Sequence, residues 1–230
     1  MPRTRDAVQY ENMQDKIKSA ARERMAAHGT AGINLREIAR KMDITAPAIY
    51  RYFPSLDDLI TALILDSFNG IADAMAYADA NVPQENYGVR LYAIGMAYRQ
   101  WAVDHPVDFQ LIYGNPIPGY VAPAEITVPA ARRAFVVIGV VLQQAIQAGA
   151  LKLNPLEGLP PSNAAFFEGI AREYGIPPEA IELITDVWSQ MHGRIMLELL
   201  HHFDPVVGSS GDYFAYKLKQ YVRALGLDPG

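Results

Sequence analysis

Apolar residues recur at helical spacing along most of this chain, whereas the alternation typical of strands is scarce. Between residues 29 and 60, Leu35, Ile38 and Met42 fall at i, i+3 and i+7, which places one apolar stripe on a short helix. Asn34 stands immediately before this stripe and is a favourable N-cap, because its side-chain oxygen can accept a backbone N–H. The pattern therefore predicts a short amphipathic helix that begins after Asn34.

A second short helix is predicted directly after the first. Thr45 is a suitable N-cap, Pro47 falls in the first turn, where its missing N–H costs little, and Pro54 disfavours helical geometry at the preceding residue. Ile49 and Phe53 can pack inward from this helix. The side that remains outward carries small, hydroxyl-bearing and basic side chains: Thr45, Ala46, Ala48, Tyr50, Arg51 and Tyr52.

Two short helices joined by a tight turn are typical of a helix-turn-helix, whose second helix enters the major groove of DNA. Small residues permit close approach, and amide, hydroxyl and guanidinium groups can donate to phosphates and bases. We assign phosphate contacts to Asn34, Tyr50 and Tyr52, with the alternative that both tyrosines fill the core of an ordinary three-helix bundle. The predicted DNA-binding residues of this segment are Asn34, Arg36, Thr45, Ala46, Ala48, Tyr50, Arg51 and Tyr52.

The rest of the chain keeps a helical pattern. Leu59, Leu63, Phe68 and Met75 continue one apolar series, which predicts a long fourth helix. Segments that contain Pro, Gly or Asn separate the further predicted helices, at about 84–103, 106–113, 129–149, 162–174, 178–203 and 211–225. We therefore predict an all-α protein with a three-helix domain at 1–56 and a larger helical domain at 57–230.

Charge is distributed unevenly along the chain. Residues 1–56 hold ten Lys and Arg against six Asp and Glu, a net charge of +4, whereas 57–230 hold ten against nineteen, a net charge of −9. A basic end favours approach to a polyanion, and an acidic remainder limits non-specific adhesion. Arg3 and Arg5 are predicted to form a short polar arm before the first helix, which either enters a minor groove of DNA or is a disordered terminus.

The segments IKSAARERMAAHG at 17–29 and INLREIARKMDITAPAIYRYFPSLDDLI at 33–60 resemble the TetR family of bacterial transcriptional regulators. Leu56 stands where the family commonly has a lysine, so a phosphate ligand is missing there, and Tyr52 stands where histidine is frequent. The segments DFQLIYGNPIPGYVAP and WSQMHG resemble the subgroup whose effector domain is named for a Trp-His-Gly motif.

This resemblance implies a sequence-specific transcriptional regulator, commonly a repressor that a small-molecule effector releases from its operator by shifting the fourth and sixth helices. It also implies a homodimer through the last two helices, so that the two DNA-binding domains meet half-sites about 34–36 Å apart, or a multiple of that, on double-stranded DNA. Apolar stripes on those helices are the expected partner surface, with internal core as the alternative: Ile184, Trp188, Met191, Ile195 and Leu199, then Phe214, Leu218, Tyr221 and Leu225.

Aromatic and apolar residues of the central helices are candidates for an effector cavity, because such cavities are mostly apolar with few polar groups. Trp188 and His192 lie at i and i+4 on one helical face. His192 either hydrogen-bonds a ligand or satisfies a buried carbonyl, and the loop at 114–123 either covers the cavity or is only a connector. The predicted effector-binding residues are Tyr92, Met96, Trp101, Phe109, Tyr113, Phe135, Ile138, Trp188 and His192.

Other classes of function find little support in the sequence. The absence of cysteine excludes disulfides and thiolate metal sites, and the apolar run at 134–142 is too short to span a bilayer, so no membrane partner is expected. Adjacent His201 and His202 point apart on a helix, and no common catalytic or cofactor motif appears, so we predict no metal, no cofactor and no enzyme. We expect a cytoplasmic protein, and the alternative function is a helical small-molecule-binding protein without operator recognition.

Overall fold

The computed structural model describes the backbone of residues 5–230 and the side chains from Gln9 onward. This part of the chain is helical, with no strand among the described residues, which confirms the all-α prediction. A single 3₁₀ turn lies at Thr30–Gly32. The α-helices are Arg5–His28 (α1), Leu35–Lys41 (α2), Ala46–Tyr50 (α3), Leu56–Ala80 (α4), Tyr87–Asp104 (α5), Pro106–Tyr113 (α6), Ala124–Gln147 (α7), Pro161–Tyr174 (α8), Pro178–Leu199 (α9), Asp204–Val207 (α10) and Ser210–Ala224 (α11).

The described residues divide into two compact units. Unit 1 comprises the chain up to Phe68 together with His105–Ala130, and unit 2 comprises Asn69–Asp104 and Ala131–Gly230. This division differs from the domain boundary after residue 56 that the sequence suggests, because the first turns of α4 and all of α6 pack with the amino-terminal helices. The functional domains at 1–56 and 57–230 stay a prediction.

Unit 1 is built around one apolar core. Ile17 of α1, Ile38 of α2, Ile49 of α3 and Leu63 of α4 are fully or almost fully buried in it. Burying such side chains stabilises a fold by about 1.5–3 kcal/mol each. The apolar stripe predicted for α2 is therefore the face that holds the three short helices together.

The turn between α2 and α3 is tight. Asp43 adopts a left-handed conformation with φ of 54°, which a short polar side chain tolerates better than most. The backbone N–H of Ile44 donates to the carbonyl of Ala39 at 3.0 Å and closes the end of α2. This turn reverses the chain within a few residues and brings Thr45 to the start of α3.

Unit 2 has its own core and a buried ion pair. Arg90 of α5 is 1% exposed, and its guanidinium donates to both carboxylate oxygens of Asp79, at 2.7 and 3.0 Å. The same group donates to the side chain of Gln144 at 2.7 Å and to the Gln84 carbonyl at 3.0 Å. Because a buried charge is costly unless it is paired, this network fixes how α5 packs against the end of α4 and against α7.

The start of α7 and the end of α9 differ most from the sequence prediction. α7 begins at Ala124 rather than near residue 129, because the Pro123 carbonyl accepts the N–H of Thr127 at 3.1 Å and opens the helix earlier, so that Pro129 lies inside it. α9 ends at Leu199 rather than near residue 203. His201 there takes a left-handed conformation with φ of 58° and terminates the helix.

α4 contributes residues to both units, as predicted for a long fourth helix. By length and composition alone it is also apolar enough to cross a membrane. Leu59, Leu63, Ile71 and Met75 are buried among the other helices of their units. The apolar character of α4 is therefore explained by its place in two protein cores.

Candidate DNA interface and effector site

The predicted recognition helix is α3, which has only five residues. Thr45 occupies its N-cap, as predicted, but the Thr45 hydroxyl makes no capping hydrogen bond. Pro47 lies in the first turn, and Ile49 is fully buried in the core of unit 1. Ile49 thus anchors the helix in the core, while the Thr45 hydroxyl can still bond to a partner outside the protein.

The opposite side of α3 faces solvent. Thr45 and Arg51 are exposed, and Tyr50 is 41% exposed. Ala46 and Ala48 are half-buried, so the surface between the larger side chains is flat. The alternative that Tyr50 fills a small core does not hold, because its side chain lies outside the buried cluster.

Asn34 caps α2 as its position predicts. Its side-chain oxygen accepts the N–H groups of Arg36 at 2.9 Å and of Glu37 at 3.2 Å. The amide nitrogen of Asn34 is the part of the side chain that can still donate to a phosphate. The predicted contact through Asn34 therefore concerns its N–H₂ group.

Several basic side chains of α1 and α2 are neutralised within unit 1. Lys41 pairs with Glu23, while Glu37 pairs with Arg40 at 2.7 Å and with Arg24 at 3.6 Å. Arg36 on α2 and Arg51 at the end of α3 are both exposed and make no ion pair among the described residues. Arg36 and Arg51 therefore keep their positive charges available to an outside polyanion, and the exposed Lys16 of α1 is a further basic side chain of unit 1.

Tyr52 has a mixed role. Its ring is half-buried against the core of unit 1 and lies 4.8 Å, between centroids, from the ring of Tyr10 in α1. The Tyr10 hydroxyl donates to the Arg51 carbonyl at 2.9 Å, and the Gln14 amide donates to the Tyr52 carbonyl at 3.2 Å. The core-filling alternative is therefore partly right for Tyr52, and the phosphate contact of its hydroxyl stays a prediction.

The start of α4 explains the departure at Leu56. Ser55 caps the helix, since its hydroxyl accepts the N–H of Asp58 at 3.1 Å and donates to the Asp58 carboxylate at 2.7 Å. Leu56 is half-buried and packs against the core cluster of unit 1. At the position where a basic residue would hold a phosphate, Leu56 thus makes an apolar contact. The exposed carboxylates of Asp57 and Asp58 follow it directly.

A buried polar network joins α6 to α1 and α4 within unit 1. The Nε of Arg22 donates to both carboxylate oxygens of Asp108, at 2.8 and 3.0 Å, and the buried Ser67 hydroxyl donates to the same carboxylate at 3.1 Å. Asp66 of α4 pairs with Arg22 at 3.4 Å and with Lys18 at 2.8 Å. The sequence did not single out these residues, because their partners are far apart in the chain.

An aromatic cluster joins α5 and α9 in unit 2. The buried Tyr98 hydroxyl lies 2.9 Å from Nδ1 of His192 and accepts the indole N–H of Trp188 at 3.1 Å. The centroid of the Trp188 ring lies 5.0 Å from that of His192 and 5.3 Å from that of Phe135, with the ring planes tilted by 37° and 57°. Burial lowers the pKa of His192 below its ordinary value of 6.5, which favours the neutral imidazole.

The structure brings together Phe135, Trp188 and His192 from the predicted effector residues, and it adds Tyr98, which the sequence did not single out. The other candidates of unit 2 are half-buried: Tyr92, Met96, Trp101 and Ile138. Phe109 and Tyr113 belong to unit 1, where their ring centroids are 5.0 Å apart and Phe109 is fully buried. A single cavity lined by all nine stays a prediction.

The apolar stripes expected to contact a partner prove to be mainly internal core. Ile184, Met191 and Ile195 of α9 are buried within unit 2, and so are Phe214 and Leu218 of α11. The periodicity identified the apolar faces correctly, but these faces pack within their own chain. The partner surface stays a prediction, because the other stripe residues are only half-buried: Trp188, Leu199, Tyr221 and Leu225.

The predicted amino-terminal arm lies partly outside the described residues. Arg3 is one of the residues outside them. Arg5 is the first residue of α1 rather than part of an arm that precedes the helix. A minor-groove contact by either residue stays a prediction.

Two family models match the chain. The model of the bacterial regulatory proteins of the tetR family matches residues 17–63, which contain α2, α3 and their turn. The model of the tetracyclin repressor-like C-terminal domain matches residues 91–221, more than half of the chain. The chain belongs to the TetR family. The resemblance inferred from the sequence is thereby confirmed, while the Trp-His-Gly subgroup stays a prediction.

Relatives of known sequence or structure agree with this assignment. The chain is 32% identical over 196 residues to the HTH-type transcriptional regulator Mb1846 of Mycobacterium bovis, covering 84% of this chain and 83% of that protein. The crystal structure of the regulatory protein SCO4313 superposes with a TM-score of 0.76 at 30% identity, covering 96% of this chain and 98% of that one. RolR, solved in complex with resorcinol, shares the fold with a TM-score of 0.52 at 14% identity, covering 97% and 92%.

The TetR assignment fixes the general function. The protein is a DNA-binding transcriptional regulator of the helix-turn-helix type, and its family is one of regulators rather than of enzymes. Regulators of this family bind operator DNA, form dimers and respond to small-molecule effectors. The helix-turn-helix predicted between residues 29 and 60 is thus confirmed, while the individual DNA-contacting residues stay a prediction.

Proposed function

We propose that this TetR regulator is a cytoplasmic homodimeric repressor that contacts paired half-sites through the outward side of α3 and is released by a small molecule bound in unit 2. The observation that carries the proposal is the arrangement of α3 itself. Ile49 is fully buried, whereas Tyr50 and the two residues that cap the helix, Thr45 and Arg51, face solvent. A helix that is packed against the core on one side and exposed to solvent on the other is suited to enter a major groove.

On the DNA side, the proposal divides the contacts by chemistry. Arg51 is suited to guanine edges, because a guanidinium can donate two hydrogen bonds to the O6 and N7 acceptors. The Thr45 hydroxyl and the flat surface at Ala46 and Ala48 suit close approach to base edges. Asn34, Arg36 and the tyrosine hydroxyls then contact phosphates, and these contacts set the register of the protein on the duplex.

The dimer surface follows from the sides of α9 and α11 that are not core. Leu197 and Leu200 are 42% and 47% exposed near the end of α9, and Tyr216 is 56% exposed on α11. Gly193 has no atom within 4 Å of where a Cβ would stand, so a partner helix can approach α9 closely at this point. We propose that these outer sides, and not the buried stripes, form the four-helix contact between two copies.

The effector is proposed to bind beside the aromatic cluster of Phe135, Trp188 and His192. Aromatic side chains with a few fixed polar atoms among them are typical of small-molecule sites. An effector that binds only one arrangement of the helices shifts the equilibrium toward that arrangement. Asp108 of α6 is paired with Arg22 of α1, so a shift of α6 would carry α1 with it, which supports α6 as the element that conveys the change to the DNA-binding helices.

The DNA contacts are tested with duplexes selected from a random pool. Arg51→Ala should lower the affinity for the selected operator at least about fivefold, because one bidentate base contact is worth about 1–3 kcal/mol. Lys152→Ala removes one exposed positive charge from unit 2 and serves as the control, with affinity unchanged. Fluorescence anisotropy at fixed salt measures both. Equal affinities for wild type and Arg51→Ala would reject the proposed DNA surface.

The dimer surface has a separate test. Leu197→Lys places a charge on the outer side of α9 and should shift light scattering from dimer to monomer at micromolar concentration. Val121→Lys, at a side chain that is 86% exposed in unit 1, is the matched control and should stay dimeric. A Leu197→Lys variant that remains fully dimeric would show that the partner surface lies elsewhere on the protein.

The alternative function has its own test. A wild-type protein that selects no DNA sequence from the random pool would favour a helical small-molecule-binding protein without operator recognition.

A further inference from the structure

The carboxyl end of α3 is held by two side chains of α1. The Tyr10 hydroxyl donates to the carbonyl of Arg51 at 2.9 Å, and the Gln14 amide donates to the carbonyl of Tyr52 at 3.2 Å. The Tyr10 ring also lies against the Tyr52 ring, with centroids 4.8 Å apart and planes inclined by 36°. Two residues of α1, Tyr10 and Gln14, and the two residues that follow α3, Arg51 and Tyr52, thus form one contact, which we name the α3 clamp.

The backbone of α3 explains why a clamp is needed. The last carbonyls of a helix have no partner within the helix and must find one elsewhere. The carbonyls of Thr45 and Ile49 accept backbone N–H groups, the latter from Phe53 at 3.1 Å. Pro54 then follows and has no N–H to donate, so the regular series stops there. Beyond Ile49, the carbonyls of Arg51 and Tyr52 accept hydrogen bonds from side chains of α1.

A helix of five residues does not hold its own direction. Isolated short helices are unstable in water, because helix nucleation is costly, and tertiary contacts supply most of their stability. Ile49 fixes the middle of α3 in the core. The α3 clamp fixes its end, directly at the backbone of Arg51, whose exposed side chain is proposed to meet base edges.

We propose that Tyr10 and Gln14 are positioning residues for operator recognition, which set the direction of Arg51 and Tyr50 by capping α3 from α1. The inference rests on the proposed function of the α3 surface. Hydrogen bonds to base edges depend steeply on donor direction, whereas attraction to phosphates depends mainly on charge. Loss of the α3 clamp should therefore lower the discrimination between operator and random DNA and leave the affinity for random DNA unchanged.

Two variants remove the hydrogen bonds with little change in shape. Tyr10→Phe keeps the ring against Tyr52 and loses only the hydroxyl, and Gln14→Met keeps the length of the side chain and loses the amide. The matched control is Tyr77→Phe, which removes a hydroxyl from a side chain that is 74% exposed in unit 2. Each protein is tested as the full chain with the selected operator and with a scrambled duplex of equal length at the same salt concentration.

The measured quantity is the ratio of the two dissociation constants, with the thermal unfolding midpoint as a second readout. Each single variant should lower the ratio about threefold to tenfold, and the double variant should lower it further, since one net hydrogen bond corresponds to such a factor. The control should leave the ratio unchanged. The unfolding midpoint should move by no more than a few degrees in any variant, because both hydrogen bonds are partly open to solvent.

Three results would overturn the inference. An unchanged ratio in the double variant would show that α3 keeps its direction without the α3 clamp. An equal loss of affinity for both duplexes would make Tyr10 a direct phosphate ligand instead. A lower unfolding midpoint at an unchanged ratio would make the contact purely structural. If Arg51→Ala also keeps the full ratio, the proposed DNA surface fails; if only the clamp variants keep it, this inference fails alone.

Discussion

The outward side of α3 and the aromatic cluster of unit 2 use their polar groups in opposite ways. On α3, Thr45 and Arg51 direct theirs to solvent, above a fully buried Ile49. In the cluster, the Tyr98 hydroxyl is already bonded to His192 and to Trp188. The polar groups beside α3 are therefore accessible to an outside partner, whereas those of the aromatic cluster make hydrogen bonds within the protein.

This difference has a consequence for the two binding events. DNA can meet Arg51 without breaking any ion pair that the described residues show, so binding needs little rearrangement of the side chains. A polar effector beside Trp188 must instead exchange hydrogen bonds with Tyr98 or His192. Such an exchange changes the packing of α5 against α9. We therefore expect effector binding, rather than DNA binding, to change the conformation of the protein.

The largest expected effect concerns the anchor of α3. Ile49→Ala should lower the free energy of unfolding by about 3 kcal/mol, because truncation of a fully buried isoleucine removes contacts and leaves a cavity. Operator affinity should fall with it, since α3 loses its support. Ile126→Ala, at a side chain that is 45% exposed, is the control. Chemical denaturation measures both, and equal stability of the two variants would contradict the role of the anchor.

The next effect tests the central hydroxyl of the cluster. Tyr98→Phe should lower the free energy of unfolding by about 1–2 kcal/mol, because one indole N–H and one imidazole nitrogen lose a buried partner. Operator affinity should stay unchanged without effector. Tyr77→Phe is the control for the loss of an exposed hydroxyl. A Tyr98→Phe protein as stable as wild type would mean that the cluster is not held by this hydroxyl.

A gain of function should follow from restoring the cation near the start of α4. Leu56→Lys is expected to raise operator affinity by a few-fold and to steepen the salt dependence by about one phosphate contact per chain, since a lysine there can release a counterion. Its aliphatic part can still cover the core that Leu56 covers. Anisotropy at several salt concentrations measures the slope. An unchanged slope would show that Asp57 and Asp58 keep phosphate away.

The smallest effect is a pH dependence of unit 2. Burial lowers the pKa of folded His192 below 6.5, so at acidic pH the unfolded chain binds a proton that the folded one does not. Stability should therefore be unaffected by this group above pH 6.5 and should fall as the pH drops below it. His192→Gln should show a smaller loss of unfolding temperature between pH 7.5 and about 5. Identical losses in both proteins would contradict burial of the His192 imidazole as the cause.

Local patterns sufficed to predict the elements of the DNA-binding segment. The caps at Asn34 and Thr45, the inward position of Ile49 and the outward position of Arg51 all depend on spacing within one helix. Helical periodicity also identified the apolar sides of α9 and α11, but it could not tell whether such a side meets its own chain or a second copy.

Contacts between distant residues were beyond local patterns. Tyr98 lies 90 residues from Trp188, Arg22 lies 86 from Asp108, and Tyr10 lies 41 from Arg51. No spacing rule links such pairs, because tertiary packing alone brings them together. The same limit applies to the predicted effector residues, of which the structure gathers Phe135, Trp188 and His192 around a tyrosine that the sequence did not single out.

The most direct test is a comparison of the sequences that wild type and Arg51→Ala select from a pool of random duplexes. Wild type is expected to enrich a palindrome whose half-sites lie about 34–36 Å apart or a multiple of that. The variant should enrich the same palindrome with one relaxed base pair at the symmetric position of each half-site, where the guanidinium contact is lost. Enrichment of an identical motif by both proteins, or of none by wild type, would contradict recognition of the operator through the outward side of α3.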